Sequence, residues 1–135
     1  MIRAVLVALA LLATATPALA QTFHTPPSGS VERRALMNAI RPQVEAEVGA
    51  PVEFVVRTLR VGQGWAFAVL EPQRPGGGRI PAPYPEINDG VTTYAVLRNT
   101  GGGWRALMVA VGPTDVAWAI YCDEAPRGLF GPACS

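Results

Sequence analysis

The sequence holds no lysine, and its eleven basic residues are all arginine. It has one histidine, His24, two cysteines, Cys122 and Cys134, and three serines, Ser28, Ser30 and Ser135. These scarcities remove most catalytic chemistries. Nucleophilic catalysis needs a nucleophile with a base oriented beside it. Here the serines lie near the ends of the chain, the histidine sits in the N-terminal stretch QTFHTPPSGS, and the cysteines are expected to be oxidised. A zinc site needs three or four converging His, Cys or carboxylate ligands, and the sequence shows no such cluster, so neither metal nor cofactor is expected. The glycine runs at 76–78 and 101–103 lead into a loop and a strand rather than a helix, which excludes a phosphate-cradling motif. Without Arg3, ten arginines face ten acidic residues. That balance leaves no basic field to attract nucleic acid. Four carboxylates, Glu53, Glu71, Glu86 and Asp115, remain as acid–base candidates, but no spacing joins two of them.

Only one long apolar run exists, AVLVALALLA at 4–13. It follows Met1-Ile2-Arg3 and precedes Pro17-Ala18-Leu19-Ala20, the charged, apolar and small-residue order of a secretory signal peptide. A membrane span needs about 20 apolar residues, so residues 1–20 read as a signal cleaved after Ala20. The remaining chain is then not membrane-spanning and is periplasmic or secreted. In such a compartment Cys122 and Cys134 are expected to pair. The bond would close the tail CDEAPRGLFGPAC and stabilise it by about 2–3 kcal/mol in the chain-entropy model.

The mature length suits one domain. Residues 21–29, with two prolines and a glycine, read as a flexible leader. Ser30 is placed to cap a helix. Leu36, Ile40, Val44 and Val48 recur at helical spacing, and Gly49 and Pro51 end the run. Pro42 lies inside it, which predicts a kink or two helices meeting at Arg41.

Two apolar runs flank Gly62-Gln63-Gly64 and form a first hairpin. A three-residue loop pairs Val61 with Trp65 and Leu59 with Phe67, and puts that face under the helix. VTTYAVLR and WRALMVAV flank Gly101-Gly102-Gly103 and form a second hairpin. Opposed Arg98 and Arg105 would repel, so a three-residue loop with Asn99 opposite Arg105 is expected. Between the hairpins, residues 72–90 hold too many prolines and glycines for a helix or central strand. This segment is either a plain surface loop or a binding loop. Thr114 or Asp115 is placed to cap a short C-terminal helix over VAWAIY.

The fold class is therefore α+β. A kinked N-terminal helix packs on a four-stranded antiparallel sheet of two hairpins, followed by a short C-terminal helix and a disulfide-closed tail, all within residues 30–135. The stretches RPQVEAEVGAPVEFVVRTLRVGQGWAFAVLEP and GWRALMVAVGPTDVAW resemble small exported bacterial domains of uncharacterised function. The helix-plus-sheet order is similar, at the level of architecture, to cystatin-like and NTF2-like folds. The inhibitory pattern Q-x-V-x-G of cystatins is not present around Gly62-Gln63-Gly64-Trp65, so protease inhibition is not implied. An NTF2-like cone needs more helices.

These readings point to a non-catalytic binding or interaction domain of the cell envelope. Its binding residues are expected on the second sheet face and the adjoining loop: Arg60, Tyr94, Arg98, Trp104, Met108 and Tyr84. Aromatic, Met and Arg side chains favour interfaces, and the partner would be a protein, a small apolar ligand or a second copy. The competing reading has residues 113–135 folded over that face as a second core. A small carboxylate-dependent hydrolase or isomerase, and a structural part of the envelope, are the alternatives of other classes.

Overall fold

The computed structural model describes residues 22–134. The expected signal segment, residues 1–20, lies outside them. The elements run α1 (Val31–Val48), β1 (Glu53–Gly62), β2 (Trp65–Gln73), β3 (Thr93–Asn99) and β4 (Trp104–Val111), then 3-10 turns at Ala117–Tyr121 and Gly131–Cys134. The strands form one antiparallel sheet in the order β1-β2-β3-β4. Among the described residues no helix is long and apolar enough to cross a membrane.

Ser30 caps α1, its Oγ accepting from Arg33 N at 3.2 Å. Leu36, Met37, Ile40 and Val44 form the buried stripe. A fully buried aliphatic side chain contributes about 1.5–3 kcal/mol, so this face holds the helix to the sheet. Of the two outcomes expected at Pro42, a kink or two helices meeting at Arg41, the second does not occur: Val31–Val48 is one helix with Pro42 inside it. At its end, Gly49 takes φ +82° and donates its N–H to Glu45 O at 2.8 Å.

Both hairpin registers differ from expectation. In the first, Gly62 pairs with Trp65, leaving a two-residue turn of Gln63 (φ 54°) and Gly64 (φ 76°). Positive φ at both central residues is the type I′ geometry, whose twist matches the flanking strands. The shift of one residue turns β2 over. Ala66, Ala68 and Leu70, with Leu59 and Val61, therefore face the helix. Trp65, Phe67 and Val69 face away from it. A bulge at Arg57 then changes the parity of β1, so Phe54 and Val56 join the helix side while Val55 is exposed.

In the second hairpin the loop is Thr100–Gly103, and Arg98 does stand opposite Arg105. Two local features offset that repulsion. The Arg98 guanidinium lies 4.5 Å from the centroid of the Trp65 ring, a favourable cation–π contact. The loop is also held, since Asn99 N donates to Gly64 O at 2.8 Å and Asn99 Oδ1 accepts from Gly101 N at 3.0 Å. A second bulge follows between the Val96 and Leu97 pairs. As a result Trp104 and Ala106 pack on the helix side, while Leu107 and Met108 both belong to the opposite cluster.

The face away from the helix is covered by the C-terminal segment. Trp118 stacks on Tyr94 at 4.8 Å and 20°, Phe130 meets Phe67 edge-on at 5.0 Å, and Tyr121 meets Trp65 edge-on at 6.4 Å. Leu129 and Phe130 are buried there. The Cys122–Cys134 disulfide closes the segment. The expected capped helix is a 3-10 turn instead, in which Asp115 Oδ1 accepts only from the neighbouring Val116 N, at 2.7 Å.

The N-terminal stretch is not a free leader. His24 and Val61 exchange backbone hydrogen bonds of 2.9 and 2.8 Å, and Thr25 Oγ1 donates to Leu59 O at 2.7 Å. Phe23 packs on the second cluster and Pro26 is buried. β1 thus has its outer edge partly paired, and His24 sits 2.9 Å from Glu32.

Candidate functional site

Residues 72–90 contain no long element, yet they are fastened to the body at several points. Arg74 and Gly78 bridge, with Arg74 N donating to Gly78 O at 2.7 Å. Ile80 is buried in the main core. Tyr84 O accepts from both Ile87 N and Asn88 N. Asn88 Nδ2 donates to Val111 O at 3.0 Å and Gly112 O at 3.3 Å, and Asp89 N donates to Gly112 O at 2.9 Å. Gly112 has no room for a side chain, because a Cβ there would lie 2.3 Å from Gly90 O.

The fastened loop encloses a cleft of about 640 Å³ against the end of β2. Its wall includes Glu71, Gln73, Arg79, Ile80, Asn88 and Val91. Glu71 Oε1 accepts from the Thr92 hydroxyl at 2.8 Å, and Gln73 Nε2 donates to Glu53 at 2.7 Å. The Arg79 side chain has no hydrogen-bonding or ionic partner among the described residues. Asn88 has its amide orientation fixed by the two carbonyls its nitrogen meets. Its Oδ1 is buried and accepts no hydrogen bond among the described residues. The cleft therefore combines an apolar floor, one carboxylate and one unpaired guanidinium.

The six residues expected to bind are not gathered in one place. Arg60 donates to Leu129 O at 3.1 Å and so ties the tail down. Tyr94 lies beneath Trp118, and Met108 is in the same covered cluster. Tyr84 is 53% exposed on the loop and does not line the cleft. Arg98 and Trp104 both border a second hollow of about 410 Å³ at the tip of the β3–β4 hairpin, although the Trp104 side chain packs on the helix side of the sheet. That hollow also takes in Arg105, Thr100 and Leu107.

Of the residues that line the two hollows, Arg79, Asn88 and Arg105 are not among those singled out from the sequence, and Glu71 is there only as a carboxylate candidate. Arg105 was discoverable, since the loop length alone decides whether it opposes Arg98. Among the described residues no group of three His, Cys, Asp or Glu side chains is placed to hold a metal ion. His24 and Asp115 line neither hollow. No protein family, characterised protein or solved structure matches this chain.

Proposed function

We propose that the chain is an exported binding domain of the bacterial cell envelope, periplasmic or secreted, whose ligand occupies the cleft under residues 72–90. The observation that carries the reading is the fastening of that loop. Ordering a long Pro/Gly-rich segment costs conformational entropy, and long loops in compact domains are usually functional or disordered. Here buried Ile80, the Asn88 clamp and the Gly90–Gly112 contact hold it as a wall over about 640 Å³. Ligand sites are preformed concavities with apolar walls and a few placed polar groups. The lining suits a small molecule that rests an apolar body on Ile80, Pro81 and Val91 and directs a donor to Glu71. Export is supported by the signal-like residues 1–20 and by the disulfide, which persists in oxidising compartments.

The test is a two-dimensional amide NMR screen of the mature protein against a library of small amines and alcohols with apolar bodies. Saturable shifts confined to residues 71–92, weakened in Glu71→Gln, are expected. Hits that shift only other surfaces, or no hits, would overturn the cleft assignment. Mass spectrometry of the exported chain should give an N-terminus at Gln21.

A carboxylate-dependent hydrolase or isomerase is the second reading, favoured by the place of Glu71 in the cleft wall. It requires turnover that Glu71→Gln abolishes while ligand binding persists.

A further inference from the structure

We propose that Arg98 and Arg105 form an anion site for a small organic carboxylate or phosphate ester. It lies at the other end of the sheet from the loop cleft and rests on separate observations.

Directly opposed residues of an antiparallel pair lie on one face, with Cβ atoms about 5 Å apart, and like charges there are destabilising. Arg98 and Arg105 are such a pair. Among the described residues neither side chain has a hydrogen-bond acceptor or a carboxylate at ion-pair distance. The hairpin sequence from 91 to 112 contains no acidic residue. Five other arginines, Arg33, Arg34, Arg41, Arg60 and Arg74, donate to backbone carbonyls; Arg98 and Arg105 differ from the remaining ones in standing directly opposite each other.

The Arg98 guanidinium rests 4.5 Å from the centroid of the Trp65 ring. A cation–π contact of this kind takes up none of the guanidinium N–H donors with an acceptor oxygen, so they remain able to hydrogen-bond a ligand. Arg105 is exposed on the same face of the sheet. Both line the 410 Å³ hollow, whose other walls are Thr100, Gly102, Gly103, Trp104 and Leu107. Guanidinium forks bind carboxylate and phosphate oxygens bidentately. The hollow exceeds the size of a bare oxyanion, and Leu107, on the same sheet face as the two arginines, supplies apolar surface for the body attached to it.

The geometry gives two coupled expectations. Without ligand, the opposed charges cost stability, so Arg105→Gln should unfold at a slightly higher temperature than the parent. With ligand, the parent should gain what the variant does not, because a ligand stabilises only the state that binds it.

The experiment uses benzoate and phenyl phosphate as probes, with inorganic phosphate and sodium chloride at matched ionic strength as controls. Melting curves are recorded for the parent, Arg105→Gln and Arg98→Lys, alongside amide NMR titrations of the parent and Arg105→Gln. The expected result is a saturable shift of the amides of 98–107 in the parent and about tenfold weaker binding in Arg105→Gln, as befits one lost charge-assisted contact. Preference for phenyl phosphate over benzoate would assign the ester and the reverse preference the carboxylate; inorganic phosphate binding as tightly as either would show that the apolar wall plays no part and overturn the organic-anion assignment. Sodium chloride reproducing the whole effect, or probe binding undiminished in Arg105→Gln, would overturn the site. Arg98→Lys keeps the charge and loses the planar fork; if it unfolds, Arg105→Gln decides alone, since its side chain is exposed.

Discussion

Arg74 is the side chain whose removal should be most informative about how the loop region is joined to the helix. The last turn of α1 contains no basic residue, although the final carbonyls of a helix lack intrahelical partners and carry partial negative charge. Arg74 reaches back from the end of β2 to supply what the helix lacks. Its Nη2 donates to Val48 O at 2.6 Å, and its Nη1 to Gly49 O at 2.6 Å and Pro51 O at 3.1 Å. Its own backbone meanwhile opens the 74–78 turn. One residue thus ties the helix end to the start of the loop that walls the cleft.

The three bonds are unequal. That to Val48 is partly buried, and the other two are exposed. Hydrogen bonds to charged donors are worth about 1.5–3 kcal/mol each, and exposed ones less because water replaces them. Taking the lower figure for Val48 and a few tenths for each of the others, Arg74→Met should cost about 2 kcal/mol. For a domain of this size that corresponds to a fall in melting temperature of about 8 °C. Arg74→Lys keeps the charge but offers a point donor instead of a fork, so it should fall between the two. Thermal unfolding by circular dichroism reads the stability. Amide exchange reads its location, with faster exchange at the end of α1 and at Gly78. A melting temperature for Arg74→Met within about 1 °C of the parent, or exchange changes elsewhere only, would refute the assignment of Arg74 as the helix's external cap.

Gly112→Ala would place a Cβ 2.3 Å from Gly90 O at φ +56°; it should cost about 2–3 kcal/mol and admit protease cleavage within 76–90. Gly62→Ala would put its methyl 2.7 Å from the Phe23 ring and 2.9 Å from Thr22 O; faster amide exchange at His24 and Val61, with α1 unaffected, is expected. Trp118→Ala removes the stack on Tyr94 and the contact with Phe67; a loss of about 2–3 kcal/mol should appear in denaturant titration, with a diminished near-ultraviolet dichroism signal. Replacing both Cys122 and Cys134 with serine opens a bond across a sequence separation of 12; in the chain-entropy model the cost is about 3 kcal/mol, measurable as a shift in the urea midpoint.

The element order was legible because each signal was local. Ser30, the Leu36–Ile40–Val44 stripe and Gly49 define α1 through capping, periodicity and termination, and each acts within a few residues. The cysteine pair was legible for lack of alternatives. What failed was parity. The run from Val52 to Pro72 does not alternate strongly between apolar and polar, so either face of β2 could have been turned inward. The decision fell to Gln63, a non-glycine residue at φ 54°. A positive φ at glutamine is uncommon, and nothing in its neighbourhood announces it. The leader was misjudged for a related reason. Its docking depends on a backbone pairing with Val61, and main-chain pairing leaves no compositional mark.

The second hairpin shows how a correct physical rule can give the wrong register. Repulsion between opposed arginines is real, but it is worth less than about 1 kcal/mol at an exposed pair. Against it stand the burial of Ala95, Leu97 and Val111 toward the helix, two hydrogen bonds from Asn99 and the Trp65 ring under Arg98. Together these outweigh it. The expected register of the first hairpin puts Trp65 on the helix side, away from Arg98, whereas the two-residue turn brings its ring under that guanidinium. One misread turn therefore propagated to the next, and it hid the juxtaposition that makes the hairpin tip chemically distinctive. Tyr94 and Met108 lie in a covered cluster, while Arg105 joins Arg98 in a hollow where neither has an ionic partner among the described residues. Where a fold keeps two like charges opposed and leaves both without a counterion, the cost persists in the free protein, and a bound anion is the species that would relieve it.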